Sequence, residues 1–199
     1  MTDDSVDVFD VIFVCTGNIC RSPMAELILG KRLTHAVPAA SRDFRVHSAG
    51  TYGLHDYPID PRAAKAITDL GIDCDSFRAR ELSDSMLSAA DIILTATRDH
   101  RATTVTMAPR TARRTFTIRE FGRLCAGVDP AVISETRPVA RAREIVLQAG
   151  ERRGLEPASY EEDEIVDPYH SRQSDFATSV RLIEESLQPF LRLLAPGVS

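Results

Sequence analysis

The sequence predicts an α/β fold: a four-stranded parallel sheet with helices on both faces. Two observations carry this. Four short apolar runs rich in β-branched and aromatic residues recur at 9–14, 44–47, 91–95 and 115–118, and runs this short and continuous read as strands buried on both sides. Each run then breaks at small or polar residues and gives way to a helical pattern. Strands that alternate with helices pair in parallel through right-handed crossovers.

The elements follow in order. The first run stops at Cys15-Thr16-Gly17-Asn18. Ser22 and Pro23 then supply helix-start chemistry, a serine cap and a proline in the first turn, with Glu26 near the helix N-terminus. The second run ends at Ser48-Ala49-Gly50-Thr51, and a proline-flanked loop leads to a helix over 61–70 that Gly71 closes. The third run precedes a polar, arginine-bearing helix, and the fourth precedes a helix over 119–126. From 127 to 164 the text changes to prolines, a helix near 139–153 and the acidic run Glu161-Glu162-Asp163-Glu164. This reads as an insertion, with the acidic run as a solvated face. A final amphipathic helix over 175–194 keeps Phe176, Val180, Ile183, Leu187, Phe190 and Leu194 at helical spacing, as core. One domain over 1–199, with an insertion at about 127–164, is expected.

Composition narrows the function. The formal net charge is −5, which argues against nonspecific nucleic-acid binding, since that needs a basic face. Lys31 and Lys65 are the only lysines; the arginine-rich balance reads as genomic composition. The acidic start lacks the basic region of a secretory signal, and no apolar run approaches the roughly 18 residues of a membrane helix. Four cysteines, Cys15, Cys20, Cys74 and Cys125, in a chain long enough to fold without staples suggest free thiols in a reducing cytoplasm.

The chemistry concentrates in Cys15-Thr16-Gly17-Asn18-Ile19-Cys20-Arg21-Ser22, between a strand and a helix start. Five residues between Cys15 and Arg21 let the backbone curl with its N–H groups inward, so that Thr16 to Ser22 form an anion nest reinforced by the helix dipole. Gly17 and Asn18 tolerate the backbone angles this requires, and Arg21 binds two phosphate oxygens at once. The same field favours an ionised Cys15 thiolate, placed for in-line attack on phosphorus. Ser22 can stabilise that thiolate as it departs. Cys20 is placed to protect Cys15 by a reversible disulfide, or serves as a small apolar residue. Cys15, Ser48 and Thr95 all follow strand C-terminal ends, where open α/β sheets bind ligands.

The stretch Val14-Cys15-Thr16-Gly17-Asn18-Ile19-Cys20-Arg21-Ser22-Pro23-Met24-Ala25-Glu26 resembles the signature of low-molecular-weight protein tyrosine phosphatases. Ser48-Ala49-Gly50-Thr51, Asp60-Pro61-Arg62-Ala63 and Asp167-Pro168-Tyr169 resemble further family segments, in the family's order. The resemblance spans about 8–126 and 165–195. It implies a doubly wound, flavodoxin-like sheet, no metal or other cofactor, and a phosphotyrosine-bearing protein as substrate. It also implies Cys15 as nucleophile, Arg21 as oxyanion clamp and Asp167 as the acid and then base. Asn18, Ser22 and Ser48 would hold the loop's shape, and Tyr52 and Tyr169 would wall the substrate ring.

Three departures stand out. Phe77-Arg78-Ala79-Arg80 carries Phe77 where the family often has a histidine supporting the loop. Thr95-Ala96-Thr97-Arg98 lacks an acidic residue many relatives carry. The chain is longer by the 127–164 segment, which could cover the site, gate it, bind a partner or elaborate the surface. Rival readings are an arsenate reductase on the same fold, disfavoured because 82–89 contains no cysteine relay, and phosphoarginine hydrolysis, whose practitioners carry threonine where Ile19 stands. A catalytically silent phosphotyrosine-binding module is the rival from outside enzymology.

Overall fold

The computed structural model describes residues 7–155 and 157–196. Four parallel strands, β1 (Phe9–Cys15), β2 (Phe44–Gly50), β3 (Ile92–Thr95) and β4 (Thr115–Thr117), form one sheet in the order β2-β1-β3-β4. Seven α-helices connect and cover them: α1 (Arg21–Ala36), α2 (Pro61–Thr68), α3 (Asp84–Ala89), α4 (Arg98–Met107), α5 (Ile118–Ala126), α6 (Pro138–Glu151) and α7 (Gln173–Leu194). This is the doubly wound, flavodoxin-like α/β architecture expected from the alternating pattern.

The period of two along each strand sorts side chains between two cores. Phe9, Val11, Phe13, Ile92 and Leu94 enter the larger cluster with α1, α2, α5, α6 and α7. Ile12, Val14 and Ile93 enter a smaller one with Leu87 of α3, Ala90 and Ala108. The six expected apolar positions of α7 are all buried. Helix α3 has no signal in the sequence pattern: six residues long, it is too short to show a period, and only Leu87 is buried.

Several boundaries move for physical reasons. β2 runs on to Gly50 because its register with β1 continues through Cys15↔Gly50. Helix α2 ends at Thr68 and Gly71 follows in the left-handed region, at φ 70°. Ser22 does not cap α1: the cap position falls on Cys20, with no side-chain bond, and no acidic residue lies in the first turn. The α1 N-terminus therefore keeps its positive end for the loop before it.

Helix α6 lies at the sheet's N-terminal edge, away from the strand C-termini. Arg143 ties it to Asp7 (2.7 Å), the Val8 carbonyl (3.0 Å) and Asp91 (2.9 Å). Buried Arg141 donates to the Leu193 carbonyl at the end of α7 (2.6 Å) and to the Glu135 carbonyl (2.7 Å). The acidic run is not a solvated face throughout. Glu161 and Glu162 are exposed, but Asp163 is buried between Arg98 (2.6 Å) and Arg123 (2.9 Å), and Glu164 accepts the Arg98 amide (2.8 Å).

Helices α5 and α7 cross at Gly122. A Cβ there would lie 2.3 Å from the Ser186 carbonyl oxygen. Gly122→Ala is therefore expected to destabilise the fold by about 1–3 kcal/mol, as overpacking against backbone does. An unchanged urea midpoint would show that the crossing yields without cost.

Candidate active site

The loop after β1 is shaped from outside. The Cys15 carbonyl accepts from Thr51 N (2.9 Å), Thr16 from Tyr52 N (3.0 Å), Gly17 from Leu54 N (3.1 Å), Ile19 from Asp60 N (2.8 Å) and Cys20 from Met24 N (3.1 Å). Each peptide is planar and trans, so the N–H that follows an outward carbonyl points the other way, into the ring. This outward pairing turns the N–H groups of Thr16, Gly17, Asn18, Cys20 and Arg21 inward, five of the seven in the stretch from Thr16 to Ser22. Asn18 sits at φ 54°, a region asparagine tolerates. Gly17 has no positive φ, and a Cβ there would meet only ordinary contacts, so its backbone freedom is not what the loop uses.

Asn18 is the hub that holds this shape. Fully buried, it donates through Nδ2 to Ser22 Oγ (2.9 Å) and Ser48 Oγ (2.7 Å), and its Oδ1 accepts from Arg80 N (2.9 Å). Ser48 Oγ in turn donates to Glu26 Oε2 (2.6 Å). Glu26 thus serves the loop from within α1, not the helix terminus. Burial pushes its carboxyl up, against the pull of the Ser48 hydrogen bond and of Arg80. Phe77 is buried in the larger core. Asn18 is held by the Arg80 amide and the Ser48–Glu26 pair.

Cys15 ends β1, buried, with Sγ 3.0 Å from Ser22 Oγ. Arg21 opens α1 and is buried too. Its Nη2 meets Asp167 Oδ2 at 2.7 Å, and its buried Nε has no hydrogen-bond partner. Asp167 comes from the segment between residue 164 and α7, which is pinned along its length. Ile165 N donates to the Ala96 carbonyl (2.9 Å), Ser179 Oγ to the Val166 carbonyl (3.0 Å) and Arg62 Nη1 to the Ser171 carbonyl (2.8 Å). Cys15, Thr16, Gly17, Ile19, Cys20, Arg21, Tyr52, Leu54, Asp167 and Tyr169 line one cavity of about 340 Å³. Tyr52 and Tyr169 stand exposed at its mouth. Asn18, Ser22 and Ser48 lie behind it. Burial, followed by the charges of Asp60 and Cys15, pushes the Cys20 thiol well up.

Sequence reasoning missed Glu26 in this role, Leu54 and His100. Leu54 follows an ordinary turn and carries no signal. His100 left one trace, the Thr97-x-x-His100 spacing of a helix cap: Thr97 Oγ1 accepts the His100 amide (3.1 Å). Its ring bridges Thr16 Oγ1 (2.9 Å) and Thr97 Oγ1 (2.6 Å). Among the described residues, no group of three or more His, Cys, Asp or Glu could hold a metal ion.

The first strand of a parallel sheet delivers a cysteine into a loop that an arginine closes at a helix N-terminus, which places the chain among α/β proteins with a cysteine-to-arginine loop at the strand C-terminal ends. The family model for low molecular weight phosphotyrosine protein phosphatase matches residues 10–134, and the chain belongs to that family. A probable low molecular weight protein-tyrosine-phosphatase, EpsP, of Ralstonia nicotianae is 44% identical over 84 residues, 42% of this chain and 52% of that one. The chain thus spans about half the length of this relative. A low molecular weight protein-tyrosine-phosphatase of Streptomyces coelicolor is 35% identical over 124 residues, 61% of this chain and 74% of that one. The crystal structure of the low molecular weight protein tyrosine phosphatase from T. tengcongensis superposes with a TM-score of 0.63 at 25% identity, over 90% of this chain and 98% of that one.

Burial, then the Arg21 charge, lowers the His100 pKa from 6.5 to about 4. The unfolded chain then binds the extra proton first as pH falls, so this group makes stability rise with pH between about 4 and 6.5. Urea midpoints of the wild type and His100→Gln should converge as pH drops through that window. Parallel profiles would show that His100 does not contribute.

Proposed function

We propose that this chain is a protein tyrosine phosphatase that works through a phosphocysteine on Cys15. The observation that supports it most is the convergence of Cys15, Arg21 with its unpartnered buried Nε, and Asp167 around one cavity.

The reaction follows from these positions. A phosphoryl group enters the amide ring and takes the Arg21 guanidinium from Asp167, binding in bidentate fashion. The freed Asp167 carboxyl, once protonated, can then meet the ester oxygen. The Cys15 thiolate attacks phosphorus; the S–P bond forms as the P–O bond to the aryl group breaks, and Asp167 gives the departing oxygen its proton. In the second step Asp167 takes a proton from water, whose oxygen attacks phosphorus as the S–P bond breaks. Ser22 Oγ, 3.0 Å from Sγ, donates a hydrogen bond to the leaving thiolate. The amides of Thr16 to Ser22 and Arg21 stabilise the developing charge without moving. Asn18, Ser22 and Ser48 keep the ring in shape, and Tyr52 and Tyr169 flank an aryl group at the mouth. No metal or other cofactor enters these steps.

The substrate on this reading is a phosphotyrosine-bearing protein, with free phosphate or other oxyanions as competing ligands. The side chains at the mouth, Tyr52, Leu54, Ile19 and Tyr169, offer aromatic and apolar surface to the ring of a phosphotyrosine. The protein would work in the cytoplasm, where its four unpaired thiols stay reduced. Among the described residues no helix is long and apolar enough to cross a membrane. The segment 82–89, two irregular residues and α3, supplies no relay cysteine for arsenate reduction. Cys20 lines the same cavity as Cys15, so peroxide would convert Cys15 to a sulfenic acid that Cys20 resolves, releasing water and forming a disulfide.

Two outcomes test the reading, each by metal-free hydrolysis of aryl phosphates. Cys15→Ser should abolish turnover while retaining phosphotyrosine binding, and turnover at the wild-type rate would remove Cys15 as nucleophile. Asp167→Asn should slow unactivated aryl phosphates by about 10²–10⁴-fold and activated ones much less. An equal loss on both would exclude Asp167 as the acid. Peptide mapping after peroxide should recover Cys15 joined to Cys20; a different pairing would reject the disulfide.

A further inference from the structure

His100 is the buried titratable group beside the cavity for which the reaction above has no task. It is the third residue of α4, and its ring is wedged between two threonine hydroxyls, Thr97 on its own helix cap and Thr16 next to the nucleophile. Resting on the phosphatase reading, we infer that His100 is a positioning residue: a relay from Thr97 through the imidazole to Thr16 makes the Thr16 hydroxyl a hydrogen-bond donor to the bound phosphoryl group.

The donors and acceptors around the ring set the direction of the relay. Thr97 Oγ1 already accepts the backbone N–H of His100, so its own hydrogen is free to go to Nδ1, 2.6 Å away. With Nδ1 accepting, a neutral ring carries its proton on Nε2, which donates to Thr16 Oγ1 at 2.9 Å. Thr16 Oγ1 is then satisfied as an acceptor, and its hydrogen is left to point into the cavity that Thr16 lines. In the opposite tautomer Thr16 spends its hydrogen on Nε2 and turns lone pairs toward the cavity, which repels an anion. A phosphoryl group in the ring therefore selects the first arrangement. A cationic ring would carry protons on both nitrogens and break the chain at Thr97. The ring is held neutral by its burial and by Arg21 close by, with Asp167 and Asp99 pulling the other way.

The relay is directional, which separates it from packing. Leucine at this position fills the space but donates nothing. Valine at Thr16 keeps the shape but has no hydroxyl. Either change removes the same hydrogen bond, and making both changes should remove it only once.

The intact chain allows three measurements. In nitrogen-15 spectra of wild-type imidazoles saturated with inorganic phosphate at pH 7, His100 should be neutral and protonated on Nε2; a proton on Nδ1, or a cationic ring, would overturn the relay. By calorimetric titration with inorganic phosphate, His100→Leu and Thr16→Val should each weaken binding by about tenfold, as losing a hydrogen bond to a charged group does. His100→Gln, which keeps a donor, should retain most of the affinity, and the double variant His100→Leu/Thr16→Val should be no worse than either single one. Losses that multiply, or a His100→Leu that unfolds earlier yet binds phosphate as the wild type does, would reduce His100 to packing and end the proposal. Should His100→Leu not fold, the wild-type tautomer and the affinity of Thr16→Val still decide it. Aryl phosphate hydrolysis by the wild type tests the underlying reading apart from this. Phosphate binding that depends on His100 in a protein without turnover would uphold the relay and remove the reaction. Turnover with phosphate affinity indifferent to His100 would remove the relay alone.

Discussion

The site depends on where five carbonyls point. The oxygens of Cys15, Thr16, Gly17, Ile19 and Cys20 are all engaged by donors outside the loop. An isolated eight-residue segment has no reason to turn its amides toward a common centre, because they repel one another there. External pairing supplies the reason. The turn after β2 offers Thr51, Tyr52 and Leu54 as donors, and the start of α2 offers Asp60. The cost of gathering inward amides is met by the fold, so the amides themselves are already arranged for an anion.

Charge is handled with the same economy. Arg21 and Asp167 neutralise each other at 2.7 Å, and in the reaction proposed above the arrival of a phosphoryl group separates them. The carboxylate is half-exposed while the guanidinium is buried, so of the two it is the carboxylate that has room to move. The pins around Asp167, from Ala96, Ser179 and Arg62, restrict that movement to the side chain. Neutral Cys20 and neutral His100, each kept so by burial, place no competing charge near Cys15.

Much of this was legible in the sequence because it rests on local rules. The four strands, six of the seven helices and the cysteine-to-arginine loop follow from periodicity, breakers and spacing. What was hidden depends on distance along the chain. The hub at Asn18 reaches Ser48 and Arg80 across 30 and 62 residues, and no local pattern announces such a contact. His100 meets Thr16 across 84 residues. The acidic run misled because solvation is the usual fate of such runs; Asp163 is internal only because Arg98 and Arg123 come from other elements to meet it. The family resemblance brought Asp167 forward, since an Asp-Pro pair by itself reads as a turn.

Asp163 has a consequence for how the chain holds Asp167. It sits where the segment carrying α6 rejoins the part of the fold that holds Asp167, clasped by arginines from α4 and α5. A buried carboxylate held between two fixed partners resists small displacements, because any slip leaves a charge without compensation. A shift of the chain that arrives from α6 is therefore opposed at Asp163, four residues before Asp167.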